Sequence, residues 1–220
     1  DLPVPCFIRV NAVTSDWFYA DMELVRRVEG MGVMLPKSET AADIEQIGPD
    51  IPVIALVETA RGIVGLPDIC QAQATCQLAF GSIDYSLDVG CDETAEALLL
   101  ARSSLVTYSR AFGLPSPIDG VTVSVNEQEQ VMADASYARQ LGFGGKLAIH
   151  PNQISTILLR LCSKLSQQLA MAFQSSTRPD SLSCILQHHL LCITRHACRT
   201  LTCIRVVIVL LAVLGAADGG

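Results

Sequence analysis

Six short apolar runs alternate with longer amphipathic stretches along residues 6–151, and this alternation constrains the fold more than any other feature of the chain. The runs are "CFIRVNA" (6–12), "GVMLPK" (32–37), "IPVIALVET" (51–59), "LAFGSID" (78–84), "IDGVTVSV" (118–125) and "KLAIHP" (146–151). Helical patterns lie between them at roughly 17–29, 40–47, 66–74, 92–112 and 127–142. Thr40 stands where a helix would be capped, and Gly30, Gly113 and Gly142 stand where helices should stop. Strands separated by helices imply right-handed crossovers and a parallel sheet. The near-continuous apolar character of runs such as "IPVIALV" says that both sheet faces are covered.

Two architectures fit six strand–helix units: an open doubly wound sheet, or most of an eightfold barrel. A dinucleotide-binding sheet should carry a Gly-rich turn after its first strand, and "RVNAVTSDW" has no glycine. Instead, polar residues stand at or near the ends of most strands: Arg9 and Asn11, Lys37, Glu58, Asp84 and His150. In a (β/α)8 TIM barrel those ends converge on the face where active sites are built. The pattern therefore favours an α/β chain of the barrel class.

Glu58 and Asp84, delivered from adjacent strands, would repel each other unless a proton or cation sat between them. A hard ion such as Mg2+ is held by one or two carboxylates, with waters and substrate oxygens completing its shell. Arg9 adds a planar cationic fork suited to a carboxylate or a developing enolate. Taken singly, each residue also has a plain structural reading. Glu58 and Asp84 can be solvated or capping groups, Arg9 and Lys37 can form ordinary ion pairs, and His150 before Pro151 can lead into a helix. The joint pattern across several strands is the stronger signal.

Six segments in order carry a family resemblance: "FIRVNA", "VMLPKSETAADI", "IPVIALVETARGIVGLPDI", "LAFGSIDYSLDVG", "ARSSLVTYSRAFGLPSPIDGV" and "ARQLGFGGKLAIHPNQI". Together they resemble the citrate lyase β-subunit-like family of CoA-ester lyases, the HpcH/HpaI aldolase group of the phosphoenolpyruvate/pyruvate barrel superfamily. The resemblance implies a Mg2+-dependent carbon–carbon lyase acting on citryl-, malyl- or methylmalyl-type CoA thioesters, or the reverse condensation. It matches Glu58 of "ETARG" and Asp84 of "FGSIDYSLDVG" to the metal ligands, and Arg9 of "RVNA" to the substrate-binding arginine. Lys37 and His150 join Arg9 and Glu58 as candidate substrate contacts. It also implies a homo-oligomer, often a trimer. The alternatives are a pyruvate-releasing hydroxy-keto-acid aldolase of the same superfamily and an inactive remnant.

The chain departs from that family at both ends. It opens at what would be the third strand, so the expectation is a barrel lacking its first two β/α units. Near residue 155 the composition changes: residues 1–154 hold 20 Asp/Glu against 9 Lys/Arg, whereas residues 155–220 hold 2 against 6. Residues 1–154 are thus expected to form a partial barrel domain. Residues 155–220 read as an atypical, mostly helical or irregular tail resembling the product of a shifted reading frame. In that tail His188, Cys192 and His196 recur every four residues but lack the paired short loops of a structural zinc module. The twelve-residue run "VVIVLLAVLGAA" (206–217) is too short to span a bilayer.

Composition narrows the function classes. Half the residues are hydrophobic and 17% are charged, which excludes wholesale disorder. The net charge of −7 argues against a general nucleic-acid binder, which needs clustered Lys and Arg to neutralise phosphates. Nine cysteines, an odd number, suit reduced thiols in the cytoplasm better than a disulfide framework. "DLPVPCFIRV" carries no signal-peptide pattern, and no membrane association is expected.

Overall fold

Each new strand of the chain pairs with the strand made just before it. The computed structural model describes residues 6–161. Over that span β1 (Cys6–Arg9), β2 (Met31–Leu35), β3 (Val53–Val57), β4 (Thr75–Phe80), β5 (Ile118–Asp119) and β6 (Gly145–Lys146) form one all-parallel sheet in sequential order. The connections carry α1 (Phe18–Val25), α2 (Ala41–Glu45), α3 (Ala60–Val64), α4 (Leu66–Gln71), α5 (Ser82–Val89), α6 (Leu99–Ala111) and α7 (Gln128–Leu141); α8 (Ile154–Leu161) follows β6.

The twofold period of the strands divides their side chains between two cores. Val33, Leu35, Val53, Ala55, Val57, Leu78 and Phe80 pack with helix residues such as Phe18, Met22, Ile44, Ile69 and Leu105. Met34, Ile54, Leu56, Ala79, Ile118 and Leu147 form a second buried cluster, joined by Phe7, Cys76 and Val121. No helix residue belongs to this second cluster, so the strands bury this face against one another. The sheet is a parallel half-barrel, concave on that side, with helices on the convex side. Among the described residues, β1 and β6 are each paired along one edge only.

Local chemistry explains several boundaries. Thr40 closes a capping box with Asp43 at the start of α2, and Thr59 caps α3 by accepting from the Gly62 N–H at 3.0 Å. Gly30, Gly113 and Gly142 all take positive φ, and Gly142 is the left-handed cap of α7.

Other boundaries differ from the sequence reading. The run 78–84 does not continue as a strand through Asp84: Gly81 ends β4, and Asp84 lies in the first turn of α5. The runs 118–125 and 146–151 give two-residue strands. Gln153, fully buried, explains why: its Nε2 donates to the carbonyls of Thr122 (2.8 Å) and Ser124 (3.1 Å), while its Oε1 accepts from the Ile149 N–H at 3.0 Å. These backbone groups are satisfied by one side chain instead of a ladder. The helix expected over 92–112 begins only at Leu99, and α3 and α5 were not anticipated. No helix among the described residues is long and apolar enough to cross a membrane.

Candidate active site

Glu58 immediately follows β3, on the same face as Ile54 and Leu56, and therefore points toward the concave side at the strand's C-terminal end. Arg9 shares a face with Phe7 on β1 and points to that same side. Glu58 is only 1% exposed, and its Oε1 accepts the main-chain N–H of Lys37 at 3.0 Å. Its pKa stands raised from the ordinary 4.5 to about 7, chiefly because burial disfavours the charged form. Within that net rise the Asp84 carboxylate is the second cause, while the Arg9 guanidinium, the Lys37 N–H and the Lys37 ammonium act in the opposite direction. Arg9, Lys37 and Asp84 are all solvent-exposed.

The structure thus gathers Arg9, Lys37 and Asp84 within electrostatic reach of Glu58. The remaining sequence candidates behave differently. His150 caps the turn Pro151–Gln153, its Nδ1 accepting from the Asn152 N–H at 3.1 Å. Asn11 is turned toward α1, donating through both its main-chain N–H and its Nδ2 to Asp21 Oδ2 at 2.8 Å. The tail residues His188, Cys192 and His196 and the apolar run 206–217 lie outside the described residues.

Gly81 is the neighbour the sequence reading missed. The β3–β4 register pairs Val57 with Phe80, so its continuation sets Glu58 beside Gly81, whose N–H donates to the Val57 carbonyl at 3.0 Å. A Cβ at residue 81 would fall 2.5 Å from Glu58 Oε2. Glycine is the residue that leaves the carboxylate its place. The signal was present in "FGSID", but only the pairing register gives it meaning.

A buried charge cluster also escaped the sequence reading. Asp119 at the end of β5 pairs with Arg102 Nε at 2.9 Å and with Lys146 Nζ at 3.4 Å. Lys146 also donates to the Gly120 carbonyl at 2.8 Å, and the Arg102 guanidinium lies over the rings of Phe80 and Tyr137. Asp119 alternates with Ile118 of the concave cluster, so the charges lie on the helix side, away from Glu58.

Two carboxylates, one buried and one exposed, with a proton held on the buried one to near neutrality, fit a hard divalent cation that would replace that proton. Among the described residues no group of three or more His, Cys, Asp or Glu is placed to hold an ion. The remaining positions of an octahedral shell would fall to waters and substrate oxygens.

The HpcH/HpaI aldolase/citrate lyase family model matches residues 1–151. The chain belongs to this family. A citrate lyase subunit beta-like protein of Deinococcus radiodurans is 34% identical over 158 residues, covering 68% of this chain and 55% of the relative. Among solved structures, a citrate lyase beta subunit from M. tuberculosis, complexed with oxaloacetate and magnesium, superposes with a TM-score of 0.65. It is 29% identical, with 73% of this chain and 74% of that chain covered. The protein CitE from Mycobacterium tuberculosis, in complex with magnesium, acetoacetate and coenzyme A, gives 0.66 at 28% identity, covering 80% of this chain and 70% of that one. The chain spans about half the length of the curated relatives it matches. The family match agrees with the resemblance carried by the segments from "FIRVNA" to "IHPNQI".

Proposed function

We propose that this chain carries the catalytic face of a Mg2+-dependent carbon–carbon lyase that cleaves, or in reverse forms, a 3-hydroxyacyl-CoA thioester such as citryl-CoA or malyl-CoA. The observation that carries the reading is the buried Glu58 carboxyl at the concave end of β3, within electrostatic reach of both Asp84 and Arg9. The magnesium, keto-acid and coenzyme A ligands of the two M. tuberculosis relatives support it.

Glu58 and Asp84 would hold the ion. When bound, magnesium supplies a Lewis acid toward substrate oxygens. Glu58 would take part as the carboxylate, with the Lys37 N–H on its Oε1. Arg9 would bind the carboxylate or keto end of the substrate through its planar fork. Breaking the carbon–carbon bond leaves an acetyl-CoA enolate, and a fixed cation aimed at that charge lowers the barrier without reorganising during the reaction. The Lys37 ammonium is a further candidate contact. His150 uses Nδ1 in its turn, so any contact it makes with substrate is through Nε2.

The concave half-barrel supports a larger scheme. Its six strands would be staves of a (β/α)8 barrel, with the remaining two closing the gap between β1 and β6. Residues 1–154 would supply the barrel domain and residues 155–220 a distinct C-terminal part. The working form would be a homo-oligomer, on the trimer pattern, in the cytoplasm.

A coupled assay on the full chain tests the reading. Acetyl-CoA released from citryl- or malyl-CoA in the presence of Mg2+, and abolished by EDTA, is the expected result. Pyruvate released from a hydroxy-keto acid would replace it with the aldolase reading, and no turnover of either class would leave the inactive remnant.

A further inference from the structure

Lys37 is the one non-glycine among the described residues with positive φ, at +50°. L-residues reach this left-handed region against steric resistance from Cβ, and β-branched residues resist it most. A backbone held there asks for a reason, and in this loop the residue's N–H donates to Glu58 Oε1 at 3.0 Å.

The loop around Lys37 is fixed on every side. Ser38 is fully buried, with its N–H on the Leu56 carbonyl at 3.2 Å and its Oγ on the Leu35 carbonyl at 2.9 Å. Asp43 Oδ2 accepts the N–H groups of Glu39 (3.0 Å) and Thr40 (2.8 Å). Glu39 reaches the Glu58 loop in turn: its Oε1 accepts from Thr59 Oγ1 at 2.9 Å, and its Oε2 pairs with Arg61 at 3.5 Å. A Cβ at Gly62 would fall 2.7 Å from the Ser38 carbonyl oxygen, so the two loops lie in backbone contact. Residues 36–40 and 58–62 behave as one interlocked unit.

We infer that the main-chain amide of residue 37 is a positioning group for Glu58. Its left-handed backbone, held by the interlocked loops, fixes which carboxylate edge is turned toward Asp84, and the Lys37 side chain is secondary to that role. The inference deepens the proposed metal site and rests on it only for the consequence for Mg2+. The hydrogen bond itself stands apart from any activity.

Two measurements test it on the full chain. Calorimetric Mg2+ titration compares Lys37→Gly with Lys37→Val: both lose the ammonium, but glycine accepts the left-handed backbone and valine resists it. The glycine variant should bind Mg2+ about tenfold more tightly than the valine variant, the scale of the left-handed penalty. Equal affinities would overturn the inference in favour of a side-chain role. Amide exchange by NMR then separates this inference from the metal reading. The residue-37 amide should exchange slowly in the wild-type chain and about tenfold faster in Glu58→Ala, with the β2 amides unchanged. That acceleration without any Mg2+ binding would remove the metal reading and keep the positioning group. An amide rate indifferent to Glu58 would overturn the positioning group itself.

Discussion

Gly81 and Glu58 stand side by side at the ends of two paired strands, close enough that a Cβ on residue 81 would lie 2.5 Å from Glu58 Oε2 and 2.6 Å from Glu58 Cβ. Neither Glu58 atom can yield easily, because Cβ is anchored to the strand end and the carboxylate is held through Oε1 by the Lys37 N–H. Gly81→Ala should therefore displace the carboxylate and weaken Mg2+ binding by about tenfold or more, while α5 and the sheet persist. Calorimetric titration beside a circular dichroism melt checks this. Wild-type affinity in the alanine variant would show that the carboxylate's place is not critical.

The raised pKa of Glu58 has a definite sign. Its folded value, about 7, lies above the ordinary 4.5, chiefly through burial and then through Asp84. Below pH 4.5 both folded and unfolded chains hold the proton. Between 4.5 and 7 only the folded chain does, so this group's contribution to stability is lost as pH rises, by roughly 3 kcal/mol in all. Metal-free Glu58→Gln removes the titration and should gain relative stability over the wild type from pH 4.5 to 8 in urea unfolding. A stability difference that does not vary with pH would contradict it. Mg2+ affinity should correspondingly fall as pH drops through 7, because the proton competes with the ion.

Arg9 is exposed and directs a planar fork toward the concave side, so its replacement by lysine keeps the charge and loses the geometry. Arg9→Lys should lower kcat/KM for the thioester by about tenfold or more and leave the melting temperature within about 2 °C. Steady-state assays and thermal melts decide it. Equal kcat/KM would remove the arginine from substrate binding.

Asp119 neutralises two cations in a setting almost closed to water, with Lys146 and Asp119 side chains each 1% exposed. Asp119→Asn would leave Arg102 and Lys146 facing each other without an anion, at a cost of about 3–5 kcal/mol. Chemical denaturation measures that loss. A change below about 1 kcal/mol would mean that the cluster relaxes or hydrates freely.

Much of the strand order was legible because the short, near-continuous apolar runs and their spacing leave few alternatives. Val53–Val57 and the exposed helical face of 127–142 follow directly from such patterns. The errors have local causes. Asp84 looked like a strand-end residue because "LAFGSID" is apolar up to a glycine, and only the β3–β4 register shows that Gly81 ends the strand and gives Asp84 to a helix. The strands at 118 and 146 were overextended because Gln153, distant in sequence, takes over their backbone hydrogen bonds. Short α3 holds five residues, too few for a helical period to register. At the site, residue types at strand ends pointed to Glu58 and Arg9. They could not reveal that Lys37 offers its backbone, or that Gly81 clears the space, because both depend on which loops meet.

The central claim is that Glu58 and Asp84 share one divalent ion, and Mg2+ titration of the metal-free chain near pH 8, by calorimetry and thermal shift, tests it most directly. Wild-type protein should bind one Mg2+ and melt at a higher temperature when loaded, with Glu58→Gln and Asp84→Asn each weakening affinity by about tenfold or more while remaining folded. Mg2+ binding of undiminished affinity in both variants, or its absence from well-folded wild-type protein, would contradict the claim.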